Sequence, residues 1–185
     1  MSLSFFPFFP FWLLITHTHS YPMPTIAVLN GHAFAAGFMT AMYHDYRIQN
    51  PSKGFLCINE LEFGVPLESP MMTIFDEKLP RSTFRSVILE AKRFSGAESV
   101  KAEIVDAVGG VSEAVEFIHQ RKLLNKASTG IYGTMKESMY YRSLAIVDNH
   151  QGNVNWRSDV EDKNDEERSR ATKAVEEWEK QKAKL

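Results

Sequence analysis

The chain has a single cysteine, Cys57, and little net charge: 21 basic and 23 acidic residues give a formal net charge of −2. A single thiol excludes a framework of internal disulfides, which indicates a reducing compartment. Without a stripe of Lys and Arg there is no electrostatic basis for binding nucleic acid. Cys57 lies inside an apolar run, so we interpret it as a core residue and not as a nucleophile.

Long apolar segments are also lacking. The most apolar stretch, Phe5 to Ile15, is shorter than the roughly 20 residues that cross a bilayer, and Pro7 and Pro10 prevent a regular helix. We therefore predict no membrane span. No Lys or Arg precedes the stretch and Ser20-Tyr21-Pro22 is a poor cleavage site, which argues against a secretory signal. We hypothesise that residues 1–23 are a non-native leader, such as translated non-coding sequence.

The segment from residue 24 to residue 110 alternates between strand and helix patterns. A short apolar run rich in β-branched residues and two further short runs predict three strands, and a small-then-apolar segment predicts a helix between the first two. The predicted strands are Thr25–Leu29, Tyr46–Gln49 and Gly54–Ile58, and the predicted helix lies within Ala33–Tyr43. Strand, helix and strand joined by short links predict an α/β fold.

Beyond Gly64 the pattern is mainly helical. The predicted helices are Ser69–Lys78 with Ser69 as N-cap, Arg81–Phe94, Ala97–Ala102, a helix capped by Ser112 that runs to Asn125, and Tyr132–Val147. Ile104–Val108 is predicted to be extended. We interpret residues 111–150 as a C-terminal helical region. Residues 151–185 are predicted to be a charged linker and helix. The polar linker itself is Asn149–Asn155, which begins two residues earlier, and the charged helix is Asp165–Lys184, with a narrow apolar stripe.

Small residues join the first strand to the first helix: Ala33, Ala35, Ala36 and Gly37. They allow backbone amides to reach a ligand. The helix that begins there leaves N–H groups unpaired and presents a positive dipole end, which suits an anion or a developing oxyanion. The alternative interpretation is that these small residues only permit close packing of the helix on the sheet.

Glu60 is the candidate acid–base residue because it follows an apolar strand. Burial at such a position raises the pKa of a carboxyl group and allows proton exchange near neutral pH. Glu62 has the same local pattern. For either residue the alternative is an exposed loop carboxylate.

Three blocks in the same order resemble the crotonase (enoyl-CoA hydratase/isomerase) superfamily. Pro24–Asp45 resembles its signature segment, Phe55–Gly64 its next strand and acidic loop, and Ala91–Asp106 the downstream segment. The resemblance covers residues 24–151. It implies a partial crotonase (ClpP/crotonase-like) ββα spiral core over 24–110, followed by a helical C-terminal region. It also implies that the family's N-terminal third, with the first oxyanion amide, has no counterpart in residues 1–24.

The resemblance assigns roles by position. It places the N–H of Ala36 in the oxyanion hole and Glu60, four residues before Gly64, at the acid–base position. Ala33, Ala35, Gly37 and Met39 are the expected substrate-binding residues of the same segment. Met39 stands where hydratases of the superfamily carry their first carboxylate, and a thioether can neither position nor deprotonate water.

Met39 therefore favours the isomerase branch of the superfamily. There, one glutamate moves a proton from C2 to C4 of a 3-enoyl-CoA and yields trans-2-enoyl-CoA, a step of fatty-acid β-oxidation. The CoA thioester is the substrate, and no metal or redox cofactor is expected. Two alternatives stay open: another crotonase reaction, such as hydration or thioester hydrolysis, and a non-catalytic interaction protein.

Four further features complete the expectations. His32 and Asp45 match family positions and are interpreted as structural. Lys136 lies on a late helix that resembles those approaching CoA and is a candidate substrate-binding residue, but a solvated helix face is the favoured interpretation. The ending Ala183-Lys184-Leu185 fits a peroxisomal signal read by the import receptor, with the cytoplasm as the alternative location. The family habit implies a homotrimer.

Overall fold

The computed structural model describes residues 17, 18 and 20–182, with the side chains of 150–161 and 181 left aside. Most of the predicted leader and the tail Ala183-Lys184-Leu185 lie outside these residues. The chain divides into two compact units, one up to Asp148 and one from Asn149. Among the described residues, no helix combines the length and the apolar character that crossing a membrane requires.

Five short strands form two parallel sheets in the first unit. Strands β1 (Ile26–Leu29), β3 (Tyr46–Gln49) and β5 (Ala107–Val108) form one sheet in the order β1-β3-β5. Strands β2 (Ala33–Phe34) and β4 (Leu56–Cys57) form the other. All pairs are parallel. The first two predicted strands are confirmed, whereas the third is shorter than predicted and lies in the second sheet.

From Ala36 to Lys182 the chain forms eight α-helices. They are α1 (Ala36–Tyr43), α2 (Ser69–Lys78), α3 (Arg81–Leu89), α4 (Gly96–Lys101), α5 (Val111–Gln120), α6 (Tyr132–Met139), α7 (Tyr141–Asp148) and α8 (His150–Lys182). Two 3₁₀ turns span Glu60–Phe63 and Leu123–Asn125. The α/β class with a helical C-terminal region is confirmed.

The predicted N-caps of two helices are wrong. Ser69 is the first residue of α2, and Glu68 occupies the cap position. At α5 the cap is Gly110 and not Ser112, because the Glu113 carboxylate accepts a hydrogen bond from the Gly110 amide at 2.6 Å. Gly110 has no side chain to cap the helix, so the Glu113 carboxylate in the first turn provides the hydrogen bond at the N-terminus of α5.

Tertiary contacts shorten the predicted helix Arg81–Phe94. Helix α3 ends at Leu89, and Ala91 takes a positive φ of 45°. Phe94 instead exchanges two backbone hydrogen bonds with Leu56, at 2.9 and 3.0 Å. Phe94, which the sequence pattern predicts to be helical, therefore pairs with the edge of β4.

Two further helix boundaries differ from the prediction. The predicted helix Tyr132–Val147 is two helices that meet at Tyr140, where the Lys78 ammonium lies 4.7 Å from the ring centroid. The predicted polar linker Asn149–Asn155 is wrong, since α8 begins at His150. The last proline of the chain is Pro80, so no proline interrupts α8, and its polar residues are compatible with a solvated helix.

Hydrophobic clusters cover both faces of the three-stranded sheet. Successive strand residues point to opposite faces, and Tyr46 and Ile48 face α5. The larger cluster joins α1, α2 and the second sheet, and it includes Phe38, Phe75 and Leu56. Helix α1 is therefore anchored by its apolar side chains in the larger cluster.

Candidate functional site

The second sheet brings the two predicted site segments together. Strands β2 and β4 run parallel, with Phe34 paired to Cys57, so they end at the same edge. The Ala35 amide extends the pairing by donating to the Cys57 carbonyl at 3.0 Å. Helix α1 begins with the next residue, Ala36, and the turn containing Glu60 begins three residues after Cys57.

The start of α1 presents free backbone donors. The Ala35 carbonyl accepts from the amides of Phe38 and Met39, both at 3.0 Å. No acceptor among the described residues faces the amides of Ala36 and Gly37, and both residues are exposed. Unpaired N–H groups at the positive end of a helix dipole can stabilise a negatively charged oxygen. This geometry is the one that the sequence pattern predicts.

Ala35 adopts a conformation that strains an alanine. Its φ is 51° and its ψ is −126°, a region that residues with a Cβ rarely occupy. This backbone bend turns the chain from β2 directly into α1. Strain of this kind is concentrated at functional sites, where the surrounding structure maintains it.

Close packing explains some of the small residues and not others. Ala33 is buried in the main core, as the packing interpretation requires. A Cβ placed on Gly37 would meet nothing within 4 Å. Space for helix–sheet contact is therefore not the reason for glycine at this position.

The Glu60 side chain turns inward. Its Oε2 atom is enclosed and has no hydrogen-bond partner in the described residues, and the same holds for the neighbouring Asn59 Oδ1. Burial raises the pKa of the Glu60 carboxyl above its ordinary value, and a hydrogen bond from its own backbone amide opposes this effect. An enclosed carboxyl with a raised pKa is suited to accept and return a proton.

Glu62, which shares the local pattern, faces outward. Its Oε2 lies 3.4 Å from an Arg93 guanidinium nitrogen. The two side chains are 47 % and 57 % exposed, so the pair is a surface ion pair. The 3₁₀ turn thus places the two carboxylates of one loop in different environments.

Met39 is part of the main core and is 2 % exposed. A carboxylate at this position would lose its hydration among apolar side chains, which is costly. The predicted contact of Met39 with substrate stays a prediction.

The expectation of a solvated helix face for Lys136 is wrong. Lys136 is 4 % exposed, and its ammonium lies 3.0 Å from Asp45 Oδ1 and donates to the Thr18 carbonyl at 2.9 Å. Because the ammonium is turned inward, it is not presented to a ligand in solvent. The late helices offered no apolar pattern at Lys136, so its burial depends on a distant partner, Asp45.

Asp45 and His32 make structural contacts, as predicted. Asp45 Oδ2 accepts hydrogen bonds from the Thr25 amide at 2.7 Å and from its hydroxyl at 3.1 Å. His32 Nδ1 accepts from the Phe55 amide at 3.2 Å and so joins the loop before β2 to β4. Both contacts stabilise the strands that lead into the candidate site.

Two cationic side chains, Lys78 and Arg47, bind the C-terminal end of α1, and the sequence did not indicate either contact. The Lys78 ammonium donates to the Met42 carbonyl and, at 2.7 Å, to the His44 carbonyl. The Arg47 guanidinium donates to the His44 carbonyl at 2.9 Å. Cations at a helix C-terminus complement its dipole. Burial holds the pKa of Lys78 well below its usual range, and no local pattern in the sequence indicates this contact.

The chain belongs to the enoyl-CoA hydratase/isomerase family, whose family model matches residues 6–183. The match includes most of the segment predicted to be a leader. It also agrees with the three blocks found in the sequence.

Three enoyl-CoA delta isomerases of Arabidopsis thaliana are similar to this chain. Enoyl-CoA delta isomerase 3 is 33% identical over 133 residues, which are 69% of this chain and 56% of the relative. The peroxisomal enoyl-CoA delta isomerase 1 is 35% identical over 131 residues, 68% of this chain and 55% of the relative. The chain therefore spans about half the length of these relatives.

Solved structures agree with the fold. An enoyl-CoA hydratase from Mycobacterium marinum has a TM-score of 0.64 and 20% identity, and the match covers 78% of this chain and 63% of that one. A methylmalonyl-CoA decarboxylase has a TM-score of 0.61 and 16% identity, over 72% of this chain and 51% of the other. Their different reactions show that the fold does not identify the chemistry.

Proposed function

We propose that the protein isomerises 3-enoyl-CoA to trans-2-enoyl-CoA by a proton shift through Glu60, as a step of fatty-acid β-oxidation. The Glu60 carboxyl, whose enclosed Oε2 has no hydrogen-bond partner in the described residues, carries this proposal, because it lies after β4 at the sheet edge from which α1 begins. The open amide of Ala36 is at that same edge. The isomerase relatives support the reaction type.

The reaction has two proton transfers. Glu60 takes a proton from C2, and the C–H electron pair moves toward the thioester to form a dienolate. The Ala36 N–H stabilises the charge on the thioester oxygen. Glu60 then returns the proton to C4, which takes up the electron pair of the C3–C4 double bond. The C1–C2 pair of the dienolate becomes the C2–C3 double bond, and the thioester carbonyl re-forms. Protons and electrons balance without an oxidant or reductant, and the proposed scheme includes no metal or redox cofactor.

The pKa of Glu60 fits both transfers. A carboxylate of ordinary pKa is a weak base toward the C2 proton, whereas burial raises the pKa of Glu60 and makes it a stronger base for that step; the protonated carboxyl is still acidic enough to protonate C4 of the dienolate. The described residues contribute one assigned oxyanion donor, Ala36. A missing second donor costs ~10²–10³ in rate, so we expect slow turnover of this chain by itself.

The test is an isomerase assay with a 3-enoyl-CoA, in which ultraviolet absorbance follows formation of the conjugated thioester. Glu60→Gln keeps the shape of the side chain and removes its base, so activity should fall to background. Glu62→Gln is the matched control from the same turn, and it should retain wild-type activity because Glu62 faces Arg93 at the surface. Equal activities of wild type and Glu60→Gln would refute the proposal.

Hydration is the second enzymatic candidate. A carnitinyl-CoA dehydratase of Salmonella typhi is 26% identical over 79% of this chain. Met39 speaks against the reaction, since its thioether is buried where hydratases carry a carboxylate. Incubation with trans-2-enoyl-CoA and detection of the hydroxyacyl product distinguishes the two reactions. We expect no product.

A non-catalytic role follows from a different observation. In the described residues β1 is an edge strand of its sheet, and β2 pairs only with β4. Edge strands with free backbone groups can pair with another chain. Size-exclusion measurements, alone and with a full-length isomerase homologue, test this role. A chain that never elutes with the homologue counts against it.

Location and assembly complete the proposal. We infer import into peroxisomes through Ala183-Lys184-Leu185, with acyl-CoA as the ligand and a homotrimer as the assembly implied by the family. Two of the similar isomerases are named as peroxisomal. A fluorescent protein fused to the N-terminus should appear in peroxisomes and should leave them when Leu185 is deleted.

A further inference from the structure

In residues 162–182, helix α8 carries an apolar stripe among polar and charged residues. Its members are spaced three and four residues apart and share one face: Ala171, Ala174, Val175 and Trp178. Val175 is 56% exposed and Trp178 is 59% exposed. The Lys182 ammonium lies 5.0 Å from the centroid of the Trp178 ring. We name these four residues the α8 stripe.

Charges along α8 alternate in blocks. Residues 162–167 are mainly acidic, and residues 168–173 carry Arg168, Arg170 and Lys173. Residues 176–179 are acidic again, and residues 180–182 contain Lys180 and Lys182. If a second copy of this helix lies antiparallel, each acidic block faces a basic block. A parallel copy in register places like charges opposite each other.

The charges beside the stripe follow the same symmetry. With ~3.6 residues per turn, Arg168 and Glu179 flank one side of the stripe, and Arg170 and Glu177 flank the other. Both pairs are centred on the point between residues 173 and 174. A single two-fold axis at that point therefore brings each arginine next to a glutamate of the second copy.

The stripe itself fits this axis. The same rotation places Trp178 of one copy close to Ala171 of the other, so the large indole meets a small side chain. Ala174 lies at the axis, where its methyl group allows close approach of the two helices. Alternation of large and small residues across a helix pair is favourable for packing.

The arginines have weak partners within their own helix. Arg168 lies 3.7 Å from Asp165, and Arg170 lies 3.2 Å from Glu166. All four side chains are at least 68% exposed. Exposed pairs of this kind contribute little to stability and can rearrange. They do not oppose the pairing of α8 with a second copy.

We propose that α8 is a self-association surface that pairs antiparallel with α8 of a second copy through the α8 stripe. Residues 162–182 span ~30 Å at ~1.5 Å per residue. One tryptophan and a narrow stripe bury less area than a standard interface. The dimer should therefore be weak, with a dissociation constant on the order of 10 µM or higher.

Sedimentation velocity of the full chain, from about 1 to about 300 µM, measures the association. Arg170→Glu should weaken it at least ~10-fold, because the new carboxylate faces Glu177 of the second copy. The double variant Arg170→Glu/Glu177→Arg should restore it. Within one helix these positions are seven residues and ~10.5 Å apart, so a contact inside one chain does not explain the rescue.

Lys173→Glu is the matched control. It makes the same charge change on the same helix, but residue 173 lies on the face opposite the stripe, so association should stay unchanged. Trp178→Ala should abolish the dimer. Circular dichroism of each variant verifies that α8 remains helical, and Arg170→Gln replaces Arg170→Glu if the latter loses helix content.

Four results would overturn the proposal. They are a full chain whose size does not rise with concentration, a concentration-dependent association that survives Trp178→Ala, a double variant that fails to restore association, and a Lys173→Glu variant that associates as weakly as Arg170→Glu. The proposal does not depend on the isomerase activity, because the proposed reaction uses no residue of α8.

Discussion

The Lys136 ammonium lies 3.0 Å from Asp45 Oδ1, and the two side chains are only 5% and 8% exposed. This ion pair joins helix α6 to the segment between α1 and β3. Asp45 also accepts from the Thr25 amide at the entry to β1. A single carboxylate thus connects three parts of the first unit, near the C-terminal end of the helix whose N-terminus forms the candidate site.

Replacing Lys136 by methionine should destabilise the first unit strongly. The substitution leaves the Asp45 charge buried without its partner, and removal of one member of a buried ion pair costs about 3–5 kcal/mol. Urea unfolding of Lys136→Met measures the change in the free energy of unfolding. The exposed Lys53, changed to methionine, is the control and should alter it by less than about 0.5 kcal/mol. Equal effects of the two variants would contradict the role of the pair.

The Glu60 carboxyl should make stability depend on pH. Its pKa is raised by burial in the folded state, so the folded protein holds this proton to a higher pH than the unfolded chain does. Stability therefore falls as the pH rises from the unfolded pKa, ordinarily 4.5, through the folded pKa, and stays lower above it. Glu60→Gln removes this dependence.

Glu60→Gln should consequently be more stable than wild type at pH 8 and similar to it at pH 4. Urea unfolding of both proteins at the two pH values gives the comparison. Glu62→Gln is the control. Because Glu62 is exposed, the difference in the free energy of unfolding between Glu62→Gln and wild type should not increase from pH 4 to pH 8. A Glu60→Gln variant that is less stable than wild type at pH 8 would exclude a desolvated carboxyl at this position.

The strained backbone at Ala35 gives a third prediction. Glycine adopts a φ of 51° without a Cβ clash, so Ala35→Gly should relieve strain. The relief exceeds the entropy cost of glycine, and we expect the free energy of unfolding to rise by about 1 kcal/mol. Ala35→Val should lower it by more than that, because a β-branched residue tolerates positive φ poorly. Thermal or urea unfolding measures both, and a stabilising valine would disprove the strain.

Much of the fold follows from local patterns. Strand β1 is a short apolar run with two β-branched residues, β3 ends directly before Asn50-Pro51, and α2 has a proline in its first turn. Such features depend on neighbouring residues in the chain, so the sequence predicts them well. The end of α3 depends instead on the bridge between Leu56 and Phe94, which lie far apart in sequence. No periodicity indicates that bridge.

The same division holds in the candidate site. The small residues before α1 indicate its open amides, but the choice between Glu60 and Glu62 required the family pattern, because both follow the same strand. Their different environments arise from the 3₁₀ turn and from Arg93 on a distant segment. The caps that Lys78 and Arg47 provide for α1 likewise come from tertiary packing.

Substitution of Gly37 distinguishes a role of this glycine in packing from a role in substrate binding. A Cβ at this position has nothing within 4 Å, and its φ lies outside the left-handed region, so Gly37→Ala should fold well. Alanine in a helix is favoured over glycine by about 0.5–1 kcal/mol, so the free energy of unfolding should stay the same or rise.

If the proposed mechanism holds, isomerase activity of Gly37→Ala should nevertheless fall, because the added methyl group takes up open space at the start of α1, at the residue that follows the proposed oxyanion donor Ala36. Gly96→Ala is the control with the opposite cause. Its Cβ would lie 3.0 Å from Pro51 Cα, so that variant should lose stability. Unfolding and activity measured on both variants distinguish the two effects. The methyl group of Gly37→Ala contacts nothing in the protein, so it can lower activity only by contacting the substrate. If Gly37→Ala is as active as wild type, the substrate does not bind at the start of α1.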